Sequence, residues 1–249
     1  MLLKDKVSIV TGSAMGIGTG VAELFAQNGS IVYMVDIDGA RNEAAAEKIR
    51  QAGGGAHALQ ADVSKRDQVK AAVDAVLAAQ GRIDVLVNNA GIYPRQDFLA
   101  ITEPEWDEMQ NVNLKSVFHW CQLVLPAMIK QRSGKIVNIS SVTVFKGTER
   151  LSHYVTTKAG IIGLSRTIAH EVGQHNVHIN CVTPGAIKTE GEAVVHTDPA
   201  VLAALQSAQC LDRRLFPVDV AGPCLFLASA LSDGMTGQTL NVDGGLVMY

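Results

Sequence analysis

The stretch KVSIVTGSAMGIG, residues 6–18, decides the fold class of this chain. An apolar strand pattern runs into a turn that holds Gly12, Gly16 and Gly18, and a helix pattern follows. Glycine lets the backbone approach a pyrophosphate closely, and the helix N-terminus offers unpaired N–H groups and the positive end of its dipole. Asp36 stands at the end of a second strand pattern. This order predicts dinucleotide binding at the start of the chain.

Short apolar runs alternate with amphipathic runs from end to end, which is typical of a parallel sheet covered by helices on both faces. Strands are predicted near 7–12, 31–36, 56–61, 83–88, 134–140, 177–183 and 238–242. Helices are predicted near 16–28, 40–52, 65–80, 103–131 with a break, 152–174 and 218–229. No linker rich in proline or serine divides the sequence, so we expect one α/β domain over residues 1–249.

The composition excludes several classes of protein. Hydrophobic residues make up 47% of the chain and charged residues 18%, which is typical of a globular protein with a sizeable core. The net charge of −3, with both signs interspersed, argues against a nucleic-acid partner. No apolar run approaches the roughly 18 residues that span a bilayer, and the N-terminus enters a strand pattern directly. We therefore expect no membrane partner and a cytoplasmic location.

The cysteines and histidines show no metal-binding pattern. The four cysteines are Cys121, Cys181, Cys210 and Cys224. They are far apart and form no CxxC pair, so buried free thiols are favoured over a zinc site or disulfides. His170 and Glu171 lack the second histidine of an HExxH motif. We expect no metal.

Asp36 indicates which dinucleotide binds. A carboxylate at that strand end can accept two hydrogen bonds from the adenosine ribose, whereas the 2′-phosphate of NADP would meet like charge. Ser13 and Met15 in the glycine turn, and Ile37 after the aspartate, are not basic. NAD is therefore predicted over NADP. The alternative is that Asp36 only caps the following helix.

Two further strand ends carry polar residues. After the third strand, the Asp62 carboxylate is positioned to accept a hydrogen bond from the adenine amino group while Val63 packs on the ring; an N-cap role for Asp62 is an equally good explanation. The fourth strand ends in NNAG, residues 88–91. Amides and small residues there suit either a close approach to a ligand or the joining of neighbouring loops.

Ser141, Tyr154 and Lys158 form the predicted reaction centre. Tyr154 and Lys158 stand one helical turn apart, so their side chains project from one helix face. A tyrosine with an ordinary pKa of about 10 must lose roughly three units to accept a proton near neutrality, and a neighbouring ammonium favours that change. Ser141 follows an apolar strand and can hold a substrate oxygen. The alternative is a surface tyrosine that packs on a lysine stem.

These motifs together resemble the classical short-chain dehydrogenase/reductase family over nearly the whole chain, from about residue 6 to 245. The matching positions are Thr11-Gly12-xxx-Gly16-x-Gly18, Asp62, Asn88-Asn89-Ala90-Gly91, Asn113 within NVNL, Ser141, Tyr154-xxx-Lys158, and Pro184-Gly185 followed by Thr189. The resemblance implies a Rossmann fold with a seven-stranded parallel sheet and a homotetramer. We expect the apolar C-terminal tail to pack against another subunit.

The resemblance also implies roles for individual residues. Tyr154 exchanges the proton of the substrate oxygen, Ser141 steadies that oxygen, Lys158 contacts the nicotinamide ribose and lowers the pKa of Tyr154, and Asn113 holds a water in the proton relay. The cofactor residues implied by resemblance and motif together are Gly12, Ser13, Met15, Gly16, Ile17, Gly18, Asp36, Ile37, Asp62, Val63, Asn89, Ala90, Gly91, Tyr154, Lys158, Pro184, Gly185, Ile187 and Thr189.

The predicted substrate pocket departs from the usual family pattern. Many relatives have glycine three residues after the serine, where this chain has Val144. Tyr93, Thr143, Phe145 and His153 are predicted as further walls, and residues 188–215 as a substrate lid. The local pattern resembles relatives that oxidise hydrophobic or aromatic secondary alcohols, although these side chains serve equally well as core filling.

Three functions follow, in decreasing order of support. The first is an NAD-dependent enzyme that interconverts a secondary alcohol and its ketone. The second is an NADP-dependent carbonyl reductase, and the third is a catalytically silent sensor or scaffold that binds a dinucleotide.

Overall fold

A single seven-stranded parallel sheet organises the chain, as predicted. The computed structural model describes residues 1–190 and 199–248. The strands are β1 (Val7–Thr11), β2 (Ile31–Asp36), β3 (Gly55–Gln60), β4 (Val85–Asn88), β5 (Gly134–Ile139), β6 (Val177–Pro184) and β7 (Thr239–Val242). Their order in the sheet is β3-β2-β1-β4-β5-β6-β7, and every neighbouring pair is parallel. The fold is therefore a doubly wound, Rossmann-type α/β fold.

The helices lie between these strands, close to the predicted bounds. They are α1 (Gly16–Gln27), α2 (Gly39–Gln51), α3 (Arg66–Gln80), α4 (Glu103–Gln110), α5 (Ser116–Gln131), α6 (Thr143–Lys146), α7 (Ser152–Val172), α8 (Pro199–Ser207) and α9 (Pro217–Ala228). The break predicted within 103–131 is a π-helical turn, Asn111–Lys115. The short helices α6 and α8 were not predicted, because four to nine residues show too little periodicity.

Two apolar clusters cover the two faces of the sheet. On one face, α1 and α9 pack together and bury side chains such as Phe25 and Val220 against the strands. On the other face, α3, α5 and α7 bury side chains such as Trp120 and Ile161. The central strands are buried on both faces, which explains their continuous apolar runs.

The strand order reverses between β1 and β4. Chain connections leave these two strands in opposite directions, so a crevice opens between the loops that follow their carboxyl ends. The glycine turn follows β1 and the NNAG segment follows β4. The fold therefore brings the two motifs to one crevice.

The cysteine prediction holds for three of the four thiols. Cys121, Cys181 and Cys224 are buried and free, whereas Cys210 is exposed because it lies in the turn that follows α8. Within residues 1–190 and 199–248 no group of histidine, cysteine, aspartate or glutamate side chains has the geometry of a metal site. None of the helices in the same ranges is long and apolar enough to cross a bilayer.

Asp84 ties the N-terminal strand to the loop before β4. Its carboxylate is 3% exposed and accepts hydrogen bonds from the Val7 N–H (3.0 Å), from Lys6 Nζ (3.2 Å) and from Arg82 Nε and Nη2 (2.8 and 2.5 Å). Burial alone would raise the pKa of this carboxyl, but the bonds from Arg82 and Val7 and the charge of Lys6 hold it below its ordinary value. The ionised form therefore stabilises the fold.

We expect Asp84→Asn to lower the free energy of unfolding at pH 7 by about 2 kcal/mol, because the charge-assisted hydrogen bonds are weakened. The folded-state pKa is depressed, so this contribution is present above the unfolded pKa of about 3.9 and is lost as the pH falls through the folded value. Urea unfolding at pH 7 and at pH 3 measures it. The exposed neighbour Asp5 offers a control, Asp5→Asn. An equal loss at both pH values would contradict the assignment.

Candidate active site

One large cleft lies over the carboxyl ends of the strands. Its volume is 1020 Å³, and it reaches from the glycine turn across to the start of α7. The predicted residues that line it are Gly12, Met15, Gly16, Ile17, Asp36, Ile37, Asp62, Val63, Asn89, Ala90, Gly91, Tyr93, Ser141, Thr143, Tyr154, Lys158, Pro184, Gly185, Ile187 and Thr189. Folding therefore gathers most of the predicted site into one cavity.

The glycine turn has the form that a pyrophosphate requires. Gly16 has φ +61°, and α1 begins there without a side-chain cap on its first N–H groups. Gly12 has φ +64°, and a Cβ at that position would lie 2.7 Å from Ala90 Cα. The turn thus leaves open helix N–H groups beside backbone that no side chain covers, and these features fit a dinucleotide phosphate.

Two predicted cofactor residues, Ser13 and Gly18, do not line the cleft. The Ser13 hydroxyl donates to Val35 O (3.2 Å) and to Asn42 Oδ1 (3.0 Å). A Cβ on Gly18 would lie 2.1 Å from Gly12 O, so this glycine allows α1 to pack against the turn. Both residues shape the glycine turn from behind.

Asp36 lies beside the glycine turn. Its carboxylate accepts hydrogen bonds from the Ala14 N–H (2.9 Å) and the Asp38 N–H (3.0 Å), and so joins the turn to the end of β2. The cap of α2 is Asp38, which accepts from the Arg41 N–H, so the capping alternative for Asp36 is wrong. The cleft also contains two cations that sequence reasoning did not consider, Arg41 and Lys65.

Asp62 is not the N-cap of the following helix, and its predicted contact with adenine stays a prediction. Its carboxylate lines the cleft and also accepts hydrogen bonds from the Ser64 N–H (2.9 Å) and the Ser64 hydroxyl (2.7 Å). This local turn precedes α3, whose N-cap, Lys65, makes no side-chain cap bond. The carboxylate is therefore held at the cleft wall by its own loop.

Asn89 joins the two sides of the crevice. Its side-chain amide donates to Thr11 O (3.0 Å) and Gly12 O (2.9 Å). In return, the Thr11 hydroxyl accepts hydrogen bonds from the N–H groups of Asn89 (3.0 Å) and Ala90 (3.1 Å). The NNAG segment therefore holds the loops together and also borders the cleft, as both of its predicted explanations required.

Asn113 lies behind the cleft wall, in the π-helical turn between α4 and α5. It is completely buried, accepts from the Ile92 N–H and donates to Ile92 O, both at 2.8 Å. A Cβ on Gly91 would lie 3.1 Å from its Oδ1. A π-helical turn contains one residue more than an α-helical turn, and this change orients the Asn113 side chain toward the segment that follows β4. In the described contacts it positions that segment.

Tyr154, Ser141 and Lys158 meet at the floor of the cleft. The Ser141 side chain lies beside the Tyr154 hydroxyl, and Lys158 Nζ lies 5.6 Å from the centre of the Tyr154 ring. Lys158 is 4% exposed, and its ammonium donates to Ile139 O at 2.9 Å. The end of β5 thus fixes the lysine, which excludes the surface alternative for this pair.

In the protein without a bound cofactor, burial is the main cause of the pKa shifts of Tyr154 and Lys158. It raises the pKa of Tyr154 to about 12, although the hydrogen bond from Ser141 opposes this, and it lowers the pKa of Lys158 to about 8. The shift of Tyr154 is opposite in direction to the one that proton transfer near neutrality requires. The side chains of the cleft do not activate the phenol by themselves.

The predicted substrate wall is only partly correct. Tyr93 and Thr143 line the cleft, and the Tyr93 ring contacts the Tyr154 ring edge-on at 6.3 Å between centroids. Val144 instead packs toward the apolar cluster under α5 and α7, and His153 is completely buried. Phe145 does not border the cavity and is 37% exposed. α6 turns Val144 and Phe145 away from the cavity, and no local sequence pattern predicts this short helix.

Polar residues that the sequence analysis missed complete that wall. They are Arg95, Asp107, Glu108, Asn111, Lys146 and Thr148. They come from loops and helix faces with no motif, so only the folded chain reveals them. The substrate end of the cleft is therefore more polar than predicted.

The C-terminal tail turns back onto the cleft. The Asp243 carboxylate accepts hydrogen bonds from the N–H groups of Gly245, Leu246 and Val247, and Leu246 borders the cavity. Of the predicted lid, residues 191–198 lie outside the described residues. The remainder includes α8 and a β-bridge between Ile187 and Leu215.

Comparison with known proteins shows the family. A family model described as enoyl-(acyl carrier protein) reductase matches residues 12–247. The chain is 42% identical to a probable galactose dehydrogenase of Rhizobium meliloti, with 98% of this chain and 96% of the relative covered. It is 41% identical to a 3-oxoacyl-[acyl-carrier-protein] reductase of Chlamydia trachomatis, with 98% of each chain covered.

A third relative is the 2-dehydro-3-deoxy-D-gluconate 5-dehydrogenase of Escherichia coli, which is 37% identical over 98% of this chain and 96% of the relative. These matches span nearly the full sequence, and the cleft holds the motif residues in register. The chain belongs to the classical short-chain dehydrogenase/reductase family of oxidoreductases.

Proposed function

We propose that this protein is an NAD-dependent oxidoreductase that interconverts a secondary alcohol and its ketone, with Tyr154 as general acid/base. The observation that carries the proposal is that Tyr154, Ser141 and Lys158 line the same cleft as the glycine turn. A proton donor and acceptor thus lies within reach of both a bound dinucleotide and a substrate.

The bound nicotinamide would supply hydride acceptance and donation at its reactive carbon. Tyr154 takes the proton from the alcohol oxygen, or returns it to the ketone oxygen. Ser141 holds the same oxygen, so negative charge does not accumulate on it without a partner. Asn113 positions the backbone of Ile92 beside this centre. Its role in a water-mediated proton relay stays a prediction.

Activation of Tyr154 needs more positive charge than the protein alone supplies, since burial places its pKa at about 12. The ammonium of Lys158, 5.6 Å from the ring, is already present in the protein and does not meet this need by itself. The positive charge of the oxidised nicotinamide would add to it. Opposite charges within a few ångströms favour the phenolate. We infer that the tyrosine becomes a base only when the dinucleotide is bound.

NAD is the preferred cofactor in this proposal, because the Asp36 carboxylate stands beside the glycine turn where a 2′-phosphate would meet like charge. One observation favours the runner-up, an NADP-dependent reductase. Arg41 and Lys65 also line the cleft, and either cation can pair with a phosphate. Arg41 forms an ion pair with Glu190, which reduces its availability.

The substrate class in this proposal is polar. The names of two relatives specify a sugar and a sugar acid, and charged residues border this cleft. The predicted aromatic alcohols remain the alternative, because Tyr93 and Leu151 also face the cavity. One domain over residues 1–249, a homotetramer and a cytoplasmic location are retained as proposals from the sequence.

Tyr154→Phe tests the chemical role directly. We expect kcat to fall about 1000-fold, because only the hydroxyl that transfers the proton is removed. NAD affinity, measured by calorimetry, should change less than about twofold because the ring remains. A panel of secondary alcohols with NAD, followed through the absorbance of the reduced nicotinamide, provides the assay.

The matched control for this change is Tyr33→Phe. The Tyr33 hydroxyl accepts a hydrogen bond from Gln80 Nε2 (2.9 Å) outside the cleft, so its loss should leave turnover intact. Unchanged turnover in Tyr154→Phe, with cofactor still bound, would eliminate the proposed mechanism. Cofactor binding by the wild type without turnover of any alcohol would instead favour the silent dinucleotide-binding protein.

Asp36→Asn tests the cofactor assignment. Removing the charge should reduce the ratio of kcat/KM with NAD to kcat/KM with NADP by roughly tenfold or more, since it weakens the ribose bonds and relieves repulsion of the 2′-phosphate. Asp5→Asn removes the same kind of charge outside the cleft and serves as control. If the wild-type protein already favours NADP, the assignment is wrong.

Lys158→Met tests how much the buried ammonium lowers the free energy of unfolding. Burial lowers the pKa of Lys158 to about 8, so the unfolded state binds more protons between this value and the ordinary value of 10.5. The stability of the wild type therefore rises with pH in that window, and the buried ammonium costs up to about 3 kcal/mol at pH 7. We expect the variant to be inactive but more stable at pH 7.

The stability advantage of Lys158→Met should shrink as the pH rises from 8 to 10.5. Urea unfolding of both proteins at pH 7 and pH 10 measures this difference. A variant less stable than the wild type at both pH values would show that the lysine is held mainly by packing.

A further inference from the structure

The outer end of the cleft is bordered by two loops that are fastened to each other. One loop follows β4 and contains Arg95, and the other follows β5 and contains Lys146 and Thr148. The Gln96 N–H donates to Arg150 O (2.9 Å), and Arg95 Nη1 donates weakly to Glu149 O (3.4 Å). The two strands are neighbours in the sheet, so the loops form one continuous wall.

This wall starts at the reaction centre. The Tyr93 ring lies against the Tyr154 ring, and Arg95 follows two residues later, no more than about 7 Å along the backbone. Thr143 donates to Ser141 Oγ from its N–H (3.2 Å) and its hydroxyl (2.9 Å), and Lys146 follows within one helical turn, about 5 Å. Both cations therefore border the same cavity as Tyr154, on segments that contact the reaction centre.

Arg95 and Lys146 form no ion pair with the part of the chain that the structure describes. Within residues 1–190 and 199–248, neither Arg95 nor Lys146 has a carboxylate at ion-pair distance, whereas Arg150 in the same loop pairs with Asp97 at 3.1 Å. The hydroxyl oxygen of Thr148 is buried without a hydrogen-bond partner among the described residues. Two cations and one unsatisfied hydroxyl thus border the cavity together.

We propose that this wall selects a hydroxy acid, with Arg95 and Lys146 binding the substrate carboxylate and Thr148 hydrogen-bonding a neighbouring substrate oxygen. This inference rests on the proposed oxidoreductase function of the cleft. The planar guanidinium matches the two oxygens of a carboxylate. Asp107 and Glu108 border the cleft from α4 and repel a second negative charge, so a singly charged carboxylate fits better than a phosphate ester.

The same arrangement orients the substrate. With its carboxylate held at the outer wall, the alcohol carbon is directed toward Tyr154 and Ser141. The carboxylates of α4 can accept hydrogen bonds from further substrate hydroxyls. Additional hydroxyl groups would therefore be tolerated, and a long apolar chain would not.

Kinetics with matched substrate pairs test this proposal. Each pair joins a hydroxy acid to the neutral alcohol with the same carbon skeleton: gluconate and glucitol, galactonate and galactitol, threonate and threitol, lactate and propane-1,2-diol. In the wild-type protein we expect kcat/KM with NAD to be roughly tenfold or more higher for the acid of a productive pair. Arg95→Gln and Lys146→Gln should each raise KM for that acid roughly tenfold, and leave KM for the neutral partner within about twofold.

Arg150→Gln is the control, because it changes the same residue type in the same wall but does not border the cavity. Arg150→Gln should leave KM unchanged for both the acid and the neutral alcohol of a pair. Turnover of neutral alcohols with no advantage for the acids, or unaltered KM for an acid in Arg95→Gln, would overturn this inference and leave the proposed oxidoreductase function standing.

A lack of turnover with every alcohol, charged or neutral, would count against the proposed function itself. A thermal-shift measurement on the NAD-loaded protein still tests the wall in that case. The acids should raise the unfolding temperature of the wild type more than the neutral partners do, and this difference should vanish in Arg95→Gln. Equal shifts for acid and neutral partner in the wild type would refute the carboxylate site.

Discussion

The buried ammonium of Lys158 is the interaction on which the site depends. Its hydrogen bond to Ile139 O anchors α7 to the end of β5, and the Ser140 hydroxyl returns a bond of 2.8 Å to the carbonyl of Lys158. These two contacts fix the first turns of α7, and with them the position of Tyr154 beside Ser141. An ammonium in such a place lowers stability, so the two apolar clusters of the sheet must offset it. The protein thus keeps a destabilising buried ammonium at the place where the proposed proton transfer by Tyr154 requires a positive charge.

A second constraint is that three chain segments are hydrogen-bonded to one another where the strand order reverses, between β1 and β4. Thr11 and Asn89 exchange hydrogen bonds across the crevice, and Asn113 holds Ile92 from the other side. The glycine turn, the NNAG segment and the π-helical turn thus form one rigid unit under the dinucleotide site. Glycine at position 12 is required by this closeness, because a side chain there would collide with Ala90. Polar contacts of this kind position the backbone and leave the first N–H groups of α1 without a side-chain cap.

The outer end of the cleft, where the substrate is proposed to bind, is not built from sequence motifs. Its residues sit on loops after β4 and β5 and on one face of α4, so their contribution depends on how those loops pack and not on any motif. α6 provides the clearest case, since its single turn presents Thr143 and Lys146 to the cleft and turns Val144 away. A wall read from the sequence as apolar therefore becomes a mixture of cations, hydroxyls and two tyrosine rings. The polarity of the pocket is a property of the fold.

The sequence by itself determined the sheet, the helices other than α6 and α8 to within about two residues at most ends, the glycine turn, and the group Ser141, Tyr154 and Lys158. Hydrophobic periodicity and short motifs are local signals, so they can be recognised without the fold. Only the tertiary structure decided that Ser13 and Gly18 support the turn from behind, that Asn113 lies behind the cleft wall, and that Arg41, Arg95 and Lys146 face the cavity. It also decided the protonation of Tyr154, whose pKa is raised by burial. Burial and loop contacts arise between residues distant in sequence, so no local pattern encodes them.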